Sequence, residues 1–513
     1  MTDSPDGAVG AEVSGGSEHS DPAGRPGTAR LDGWSQPVSY SPDATAASIA
    51  EAHPDLEPGT ETGERVTVAG RLMLRRVQGR LAFGTLADRT GRIQLFAPSA
   101  TTPDFDGFGE LHLGDWIGVT GEVMTTRRGE LSVRVDEWVL LAPARRAFPD
   151  KWHGISDPDT RYRQRYVDLW VTDDARRTFE MRSKVMSMTR RFLEDRAYTE
   201  VETPVLHPIP GGALAAPFST HHNALDEDLY LRIAPELYLK RLVVGGMTRV
   251  FELARVFRNE GISTRHNPEF TMLEAYEAYG DYHTHMALIE ELVAHLAVEL
   301  TGSTTVGYGD RYVELSAPWR RAPLAELTSE QVGVDVSVHT PVDDLRRLCD
   351  DHGVAHKPSD GPGKLLLELY EKTTEHTIWD PTFVTDYPAE VSPLSRRHRD
   401  DPALVERFEG IVVGRELCNG FSELTDPADQ QERFEEQATL RAGGDTDAMV
   451  VDQDYVRALE YGLPPTVGVG MGMDRLVMLL SGTTSIRDVV LFPTLRPEQS
   501  RPDQSRPGDT RVD

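Results

Sequence analysis

The glycines of Gly468-Val-Gly-Met-Gly472-Met-Asp474-Arg475 constrain this chain more than any other feature. Side chains alternate across a strand, so glycine at every second position strips one face bare. A bare face lets a ring or a phosphate chain lie against backbone, and it equally suits tight packing on a neighbouring helix. The apolar run Leu476–Leu480 predicts a helix directly after the strand. Asp474 and Arg475 then fall in its first turn, where an arginine can aim at a bound nucleotide.

A second concentration of charge lies two hundred residues earlier, in Arg255-Val-Phe-Arg-Asn-Glu-Gly261 followed by Ser-Thr-Arg-His266-Asn-Pro-Glu269-Phe270. Arg258 and Arg265 flank a turn containing Gly261, and guanidinium forks match phosphate oxygens better than lysine point charges do. A polyanion such as ATP fits this arrangement. A surface salt-bridge hairpin is the bland alternative.

With 513 residues the chain has room for two or three domains around a large core. Two cysteines, Cys349 and Cys418, cannot make a disulfide framework, and a reducing cytoplasm is the expected setting. The N-terminus lacks a basic start and an apolar stretch, and no run reaches membrane-spanning length, so no membrane association is expected. A net charge of −29 argues at first against a nucleic-acid partner. Residues 1–62, however, hold eleven Asp/Glu against two Arg, so −9 of it lies in an extension rich in Gly, Ser, Pro, Asp and Ala. That extension reads as mostly disordered, apart from a possible short helix near Ala44–Ala52.

Residues 63–147 alternate short β-rich runs with turns, beginning at Val66, Leu81, Arg92, Trp116 and Leu131. Five strands in so short a span predict a small barrel of the OB type, which binds single strands by stacking bases on aromatic side chains. A linker over 148–165 leads to a larger domain at 166–497. There Met181, Val185, Met188 and Phe192, and then Ile289, Leu292, Val293, Leu296 and Leu300, mark the buried faces of two helices. Thr248–Leu253 and Gly410–Arg415 read as strands, 317–380 as a helical insertion, and 498–513, with its repeated Gln-Ser-Arg-Pro, as a disordered tail.

Taken together, the arginine hairpin and the glycine strand resemble motifs 2 and 3 of the class II aminoacyl-tRNA synthetases. The resemblance spans roughly residues 64–497 and is nearest to the bacterial lysine type. Motif 1, a dimer-forming helix and strand, corresponds to Arg191–Pro204. The strings particular to the lysine type are Ala234-Pro-Glu236-Leu-Tyr-Leu-Lys240, Phe270-Thr-Met-Leu-Glu274-Ala-Tyr276 and Asn419-Gly-Phe421-Ser-Glu423-Leu424. The resemblance implies an α+β chain: an OB-fold anticodon-binding barrel followed by a catalytic antiparallel sheet flanked by helices.

It further implies amino-acid activation, the attack of a carboxylate on the α-phosphorus of ATP. That nucleophile is already ionised, so positioning and positive charge carry the reaction. Arg258 and Arg475 take the catalytic positions, and Glu260, Arg265, His266, Asn267 and Phe270 complete the ATP site. Glu236, Glu274 and Glu423, with Tyr276, Phe421, Asn419, Gly212 and Arg258, take the lysine site. A carboxylate buried without its ammonium is costly, which rejects shorter or neutral substrates. Glu409 and Glu416 take the Mg²⁺ positions; on spacing alone they are ordinary surface acids. Phe83, Gln94 and Glu130 take the anticodon positions, although by themselves they read as barrel core, a solvent-facing strand residue and a hairpin charge. The implied partners are ATP, L-lysine, tRNA(Lys) and a second copy of the chain.

The chain departs from the resembled pattern at four points. Ala216 stands where an arginine is usual, Ala197 and Cys418 where glycine or another small residue is usual, and the basic N-terminal helix is missing. A second reading is therefore a paralogue that forms lysyl-adenylate and passes lysine to a protein or small-molecule amine. A third, from another class, is a catalytically silent tRNA-binding protein, against which the set Arg258, Glu409, Glu416 and Arg475 speaks.

Overall fold

Alternation of buried and half-exposed positions builds the N-terminal barrel. Strands β1 (Glu61–Gln78), β2 (Leu81–Ala87), β3 (Arg92–Pro98), β4 (Trp116–Thr125) and β5 (Leu131–Ala142) close in the order β1-β2-β3-β5-β4. Ile93, Leu95 and Ala97 point inward from β3, while Gln94 and Phe96 stay on the outer face. Closure comes from parallel pairing of β3 with β5, Gln94 opposite Ser132 and Phe96 opposite Arg134. At Gly121 a Cβ would stand 1.6 Å from the Arg134 carbonyl oxygen, so only glycine lets β4 and β5 approach at their bulge.

The computed structural model describes residues 34–146, 154–443 and 448–498, in two units that divide at Gly154. Two of the expected boundaries need correction. Residues 34–62, assigned above to a mostly disordered extension, are packed on the barrel. The helix Ala46–Ala52 carries a Thr45/Ser48 capping box and buries Ile49 in the barrel core, and its first amides donate to Asp88 and Thr90 at 2.8 and 3.0 Å. Residues 1–33 and 499–513 lie outside the described residues. The linker is likewise helical over Pro158–Arg163. Beyond it, the buried Arg165 guanidinium pairs with Asp168 at 2.6 Å and donates to the Leu491 and Arg487 carbonyls.

The second unit is built on an eight-stranded sheet. Its order is Arg320–Pro323, Thr382–Pro388, Leu404–Val412, Arg415–Ser422, Thr466–Gly472, Glu269–Ala278, Arg249–Phe257 and Thr199–Glu200. The six central strands are antiparallel, and each edge strand joins in parallel. Gly410–Arg415, read above as one strand, in fact straddles a hairpin, because Val413 and Gly414 both take positive φ and turn the chain. The insertion opens with a sheet strand at Arg320–Pro323 before its helices Leu324–Val332, Val342–Asp351 and Pro362–Thr373. Ala197 holds φ at 63°, so its departure from glycine is a backbone cost rather than a packing change.

One face of the sheet is apolar. Phe251, Leu273, Ala275, Val469 and Met471 join the helices Asp173–Glu194, Tyr282–Thr301 and Met473–Ser481 through Val185, Phe192, Ile289, Leu292 and Leu476. The opposite face carries the polar groups described next. Among the described residues no helix is long and apolar enough to cross a membrane.

Candidate active site

Register places the bare strand between two functional ones. Gly470 lies opposite Glu274 on one side and Asn419 on the other, with Glu252 and Glu409 extending the same row. The next row runs Tyr276, Gly468, Phe421 and Arg407. The sheet therefore brings acids and aromatics from four distant segments to one face, with glycines at its centre. The three glycines are not equivalent. A Cβ at Gly468 would stand 2.2 Å from Glu423 Oε1 and 2.4 Å from Tyr276 Cε1, whereas at Gly470 the nearest atom is Met272 Cε at 3.4 Å. Close packing demands glycine at 468, whereas at Gly470 an added methyl would meet only ordinary contacts.

At one end lies a buried acid pocket. Glu236 opens the helix Glu236–Val244, and at Gly212, with φ +87°, an added Cβ would stand 3.1 Å from the Glu236 Cβ, a place only glycine fills without strain. Glu423 is 1 % exposed, Glu274 3 % and Tyr276 3 %. The Tyr276 hydroxyl donates to Glu274 at 3.0 Å. Burial, then the nearby Glu236 charge, pushes the Glu274 carboxyl up to about 8, so it holds a proton at neutral pH. Lys240, one turn beyond Glu236 and fully buried, donates to Glu236 Oε1 at 2.6 Å and also pairs with Glu423. Its amine is raised in spite of burial, because Glu236 and Glu423 flank it.

At the other end is the arginine hairpin. The Arg258 amide donates to the Pro268 carbonyl at 2.8 Å and closes the turn; its guanidinium lies 5.2 Å from the Phe270 ring, with Nε buried and lacking a hydrogen-bond partner. Glu260, Arg265 and His266 are exposed. Burial and the Arg475 charge lower the His266 imidazole, leaving it neutral near pH 7. Asn267, expected above among the ATP contacts, has its side chain engaged within the fold. It is buried, its amide nitrogen donates to the Glu269 carbonyl at 2.7 Å, and its oxygen accepts from the Thr494 amide at 3.0 Å. Asn267 is thus a clasp between the hairpin and the C-terminal segment. The Ala216 carbonyl accepts from the Asn259 amide at 2.8 Å, so that loop also reaches the hairpin through backbone alone.

Asp474 is turned away from the bare face. It accepts from the Thr271 amide at 2.7 Å and from Arg182 at 2.5 Å, bracing the strand that carries Phe270. Arg475 donates to the Glu416 carbonyl at 2.5 Å and to its carboxylate at 3.1 Å. Burial would raise Glu416, but Arg475 and Arg258 hold it below the ordinary range. Glu409, paired with Arg407 at 2.7 Å, is pushed up to about 7 by burial, with Glu416 and Glu375 adding to the effect. Among the described residues no three acids, histidines or cysteines converge into a cage for an ion. Two carboxylates suit a hard cation that keeps oxygens from phosphate and water.

In the barrel, by itself, Phe83 and Gln94 share the outer face. Phe83 packs on Phe96 at 5.6 Å between ring centres, and Gln94 donates to Ser132 at 2.9 Å. Phe83 is therefore not barrel core. Glu130 is exposed in the hairpin after Gly129. Sequence reasoning passed over Phe96, Lys240 and Glu375. Phe96 was recoverable from its period-two spacing with Gln94, and Lys240 from its place four residues after Glu236 on one helix, but the contact of Lys240 with Glu423 and the position of Glu375 depend on segments far apart in the chain.

Comparison with known proteins agrees with this geometry. Residues 66–141 match the OB-fold nucleic acid binding domain, and residues 157–496 match the family of class II tRNA synthetases for D, K and N. The chain is 52% identical over 469 residues to a lysine–tRNA ligase of Parasynechococcus marenigrum strain WH8102, covering 90% of this chain and 93% of that one. It is 50% identical over 474 residues to a lysine–tRNA ligase of Prochlorococcus marinus strain MIT 9313, with 90% and 93% covered. To the lysine–tRNA ligase of Xanthomonas oryzae pv. oryzae strain MAFF 311018 it is 49% identical over 479 residues, with 92% and 95% covered. A bare glycine strand flanked by acids, an arginine hairpin beside it and a five-stranded barrel ahead of it are thus the parts of one known architecture, and the chain belongs to the class II tRNA synthetases.

Proposed function

We propose that this chain is an ATP-dependent lysine–tRNA ligase, which makes lysyl-adenylate and then passes lysine to the terminal ribose hydroxyl of tRNA(Lys). One observation carries the reading: buried Glu236, Glu274 and Glu423 converge with Tyr276 at one end of a bare strand that has Arg258 and Arg475 at its other end. The acids receive a side-chain ammonium, Asn419 and Phe421 line the same face, and Gly212 holds Glu236 in place.

Arg258 bridges the substrate carboxylate and the α-phosphate; its unpartnered Nε suits it to an incoming oxyanion. Phe270 stacks under adenine, with Glu260 and His266 beside it, and Arg265 and Arg475 hold the polyphosphate. Asn267 keeps the hairpin in shape. No side chain has to remove a proton from a carboxylate nucleophile, and neutral His266, held near Ser263, has no task as a base. Glu409 and Glu416 fit Mg²⁺, which when bound neutralises and orients the polyphosphate. Phe83, Gln94 and Glu130 read the anticodon, and the enzyme works as a homodimer in the cytoplasm.

The test is lysine-dependent pyrophosphate exchange followed by charging of tRNA(Lys) with native and altered anticodons. Exchange and anticodon-sensitive charging are expected. Absence of exchange with lysine would remove the reading, and exchange without charging would favour a different acceptor.

A further inference from the structure

Lys240 has no part in the roles assigned so far, yet it is the most deeply placed cation in the acid pocket. Its side chain is 0% exposed; Nζ lies 2.6 Å from Glu236 Oε1, in direct contact with Glu423, and 5.2 and 5.9 Å from the Phe421 and Tyr455 rings. A lysine ammonium has three donors. One goes to Glu236, and the ammonium is in ion-pair contact with Glu423; both are carboxylates that the reading above assigns to the substrate's ammonium, and two rings wall its surroundings. Resting on that reading, we propose that Lys240 is a positioning residue: a resident ammonium that opposes protonation of Glu236 and Glu423 and holds them aligned while the pocket is empty, so that an arriving ammonium finds acceptors already in place.

The physical need is plain. Three buried carboxylates within one pocket repel one another, and each is driven toward its neutral form by burial. Glu274 yields to that pressure by holding a proton, which it can do while accepting from Tyr276. Glu236 and Glu423 do not have a hydroxyl in that position; burial keeps both raised, Glu423 well above the ordinary carboxylate range, and the charge of Lys240 is the largest influence opposing it in each. The other groups facing them are accounted for. Arg407 pairs with Glu409, Arg232 pairs with Glu252, and Tyr455 stays neutral through burial. Without Lys240 a proton would take its place, and substrate would have to expel that proton before its own ammonium could be bound.

Lys240→Met nearly keeps the volume of the side chain, and Lys240→Gln keeps a neutral donor on a side chain one atom shorter. The assay is pyrophosphate exchange from pH 6 to 9 with lysine and ATP varied separately, beside a melting curve for each variant. At pH 7 the KM for lysine is expected to rise at least tenfold in both, with the KM for ATP within twofold of wild type. The variants' KM for lysine should fall as pH rises, by up to about tenfold per unit, with the dependence displaced at least one unit upward from wild type. A KM for lysine within twofold of wild type, or KM values for lysine and ATP that rise together without a displaced pH profile, would overturn the proposal. Loss of the fold in both variants would assign Lys240 to stability and overturn it equally. Wild-type protein lacking lysine-dependent exchange would remove the lysine reading itself, an outcome distinct from active wild type with unaffected variants.

Discussion

Adding one methyl group at Gly468 and, separately, at Gly470 distinguishes glycine kept for packing from glycine kept for a ligand. At Gly468 the new Cβ would stand 2.2 Å from Glu423 Oε1 and 2.4 Å from Tyr276 Cε1. Neither neighbour has room to retreat: Glu423 is held by Lys240, and the Tyr276 ring is 3 % exposed. Overpacking of this kind costs about 1–3 kcal/mol, and the displaced groups are the two that shape the acid pocket. Gly468→Ala should therefore lose stability and also raise the KM for lysine at least tenfold. At Gly470 the nearest atoms, Met272 Cε at 3.4 Å and Glu274 Cγ at 3.8 Å, already lie at ordinary contact distance. Gly470→Ala should melt within about 1 °C of wild type, because no buried contact is disturbed. A methyl rising from the row between Glu274 and Asn419 would nonetheless occupy the space of a substrate lying on the backbone, and about 1–3 kcal/mol of overlap amounts to roughly five- to 150-fold in kcat/KM for lysine. Melting by circular dichroism and steady-state exchange measure the two quantities. If Gly470→Ala kept full activity, the bare face would be a packing device and the substrate would lie elsewhere.

Other consequences follow from the same geometry. Glu274 at about 8, against an ordinary 4.5, keeps in the folded protein a proton that the unfolded chain releases. Stability of the ligand-free protein should therefore fall as pH rises from 4.5 to about 8 and level off beyond it. Glu274→Gln should flatten that slope, and a variant melting in parallel with wild type across the window would show that Glu274 is not its source. The same variant, mimicking the protonated acid, should change the KM for lysine less than tenfold, whereas Glu423→Gln, which breaks a buried ion pair, should raise it about 100-fold or more. Asp474→Ala leaves Arg182 without its 2.5 Å partner and should cost about 3–5 kcal/mol in urea unfolding; a loss of activity at unchanged stability would instead mean that Asp474 touches substrate. Phe83→Ala and Phe96→Ala each remove a ring from the outer face of the barrel, worth about 1–3 kcal/mol per stacked base. Both should raise the KM for tRNA while leaving pyrophosphate exchange intact, and altered exchange would contradict a role confined to tRNA.

The chain itself determined whatever depends on spacing within a few residues. Alternation wrote the five barrel strands, helical periodicity marked Val185 with Phe192 and Ile289 with Leu296 as buried stripes, and glycines two apart announced the bare strand. The arginine hairpin was legible because its charges and its turn lie in one segment. What tertiary structure decided depends on partners far apart in sequence. Asn267 became a clasp because Thr494 meets it across 227 residues, and Asp474 a brace because Arg182 meets it across 292. The short helix near Ala44–Ala52 was legible in the chain, but its packing depends on the barrel, which buries Ile49 and offers Asp88 and Thr90 to its first amides. In the chain Lys240 stood only as the end of a string four residues after Glu236, a spacing that also fits an exposed helical ion pair. Its charge acquired meaning only when the sheet carried Glu423 to within reach and closed the water out, because an ion pair's strength is set by the medium around it, and periodicity says nothing of the medium.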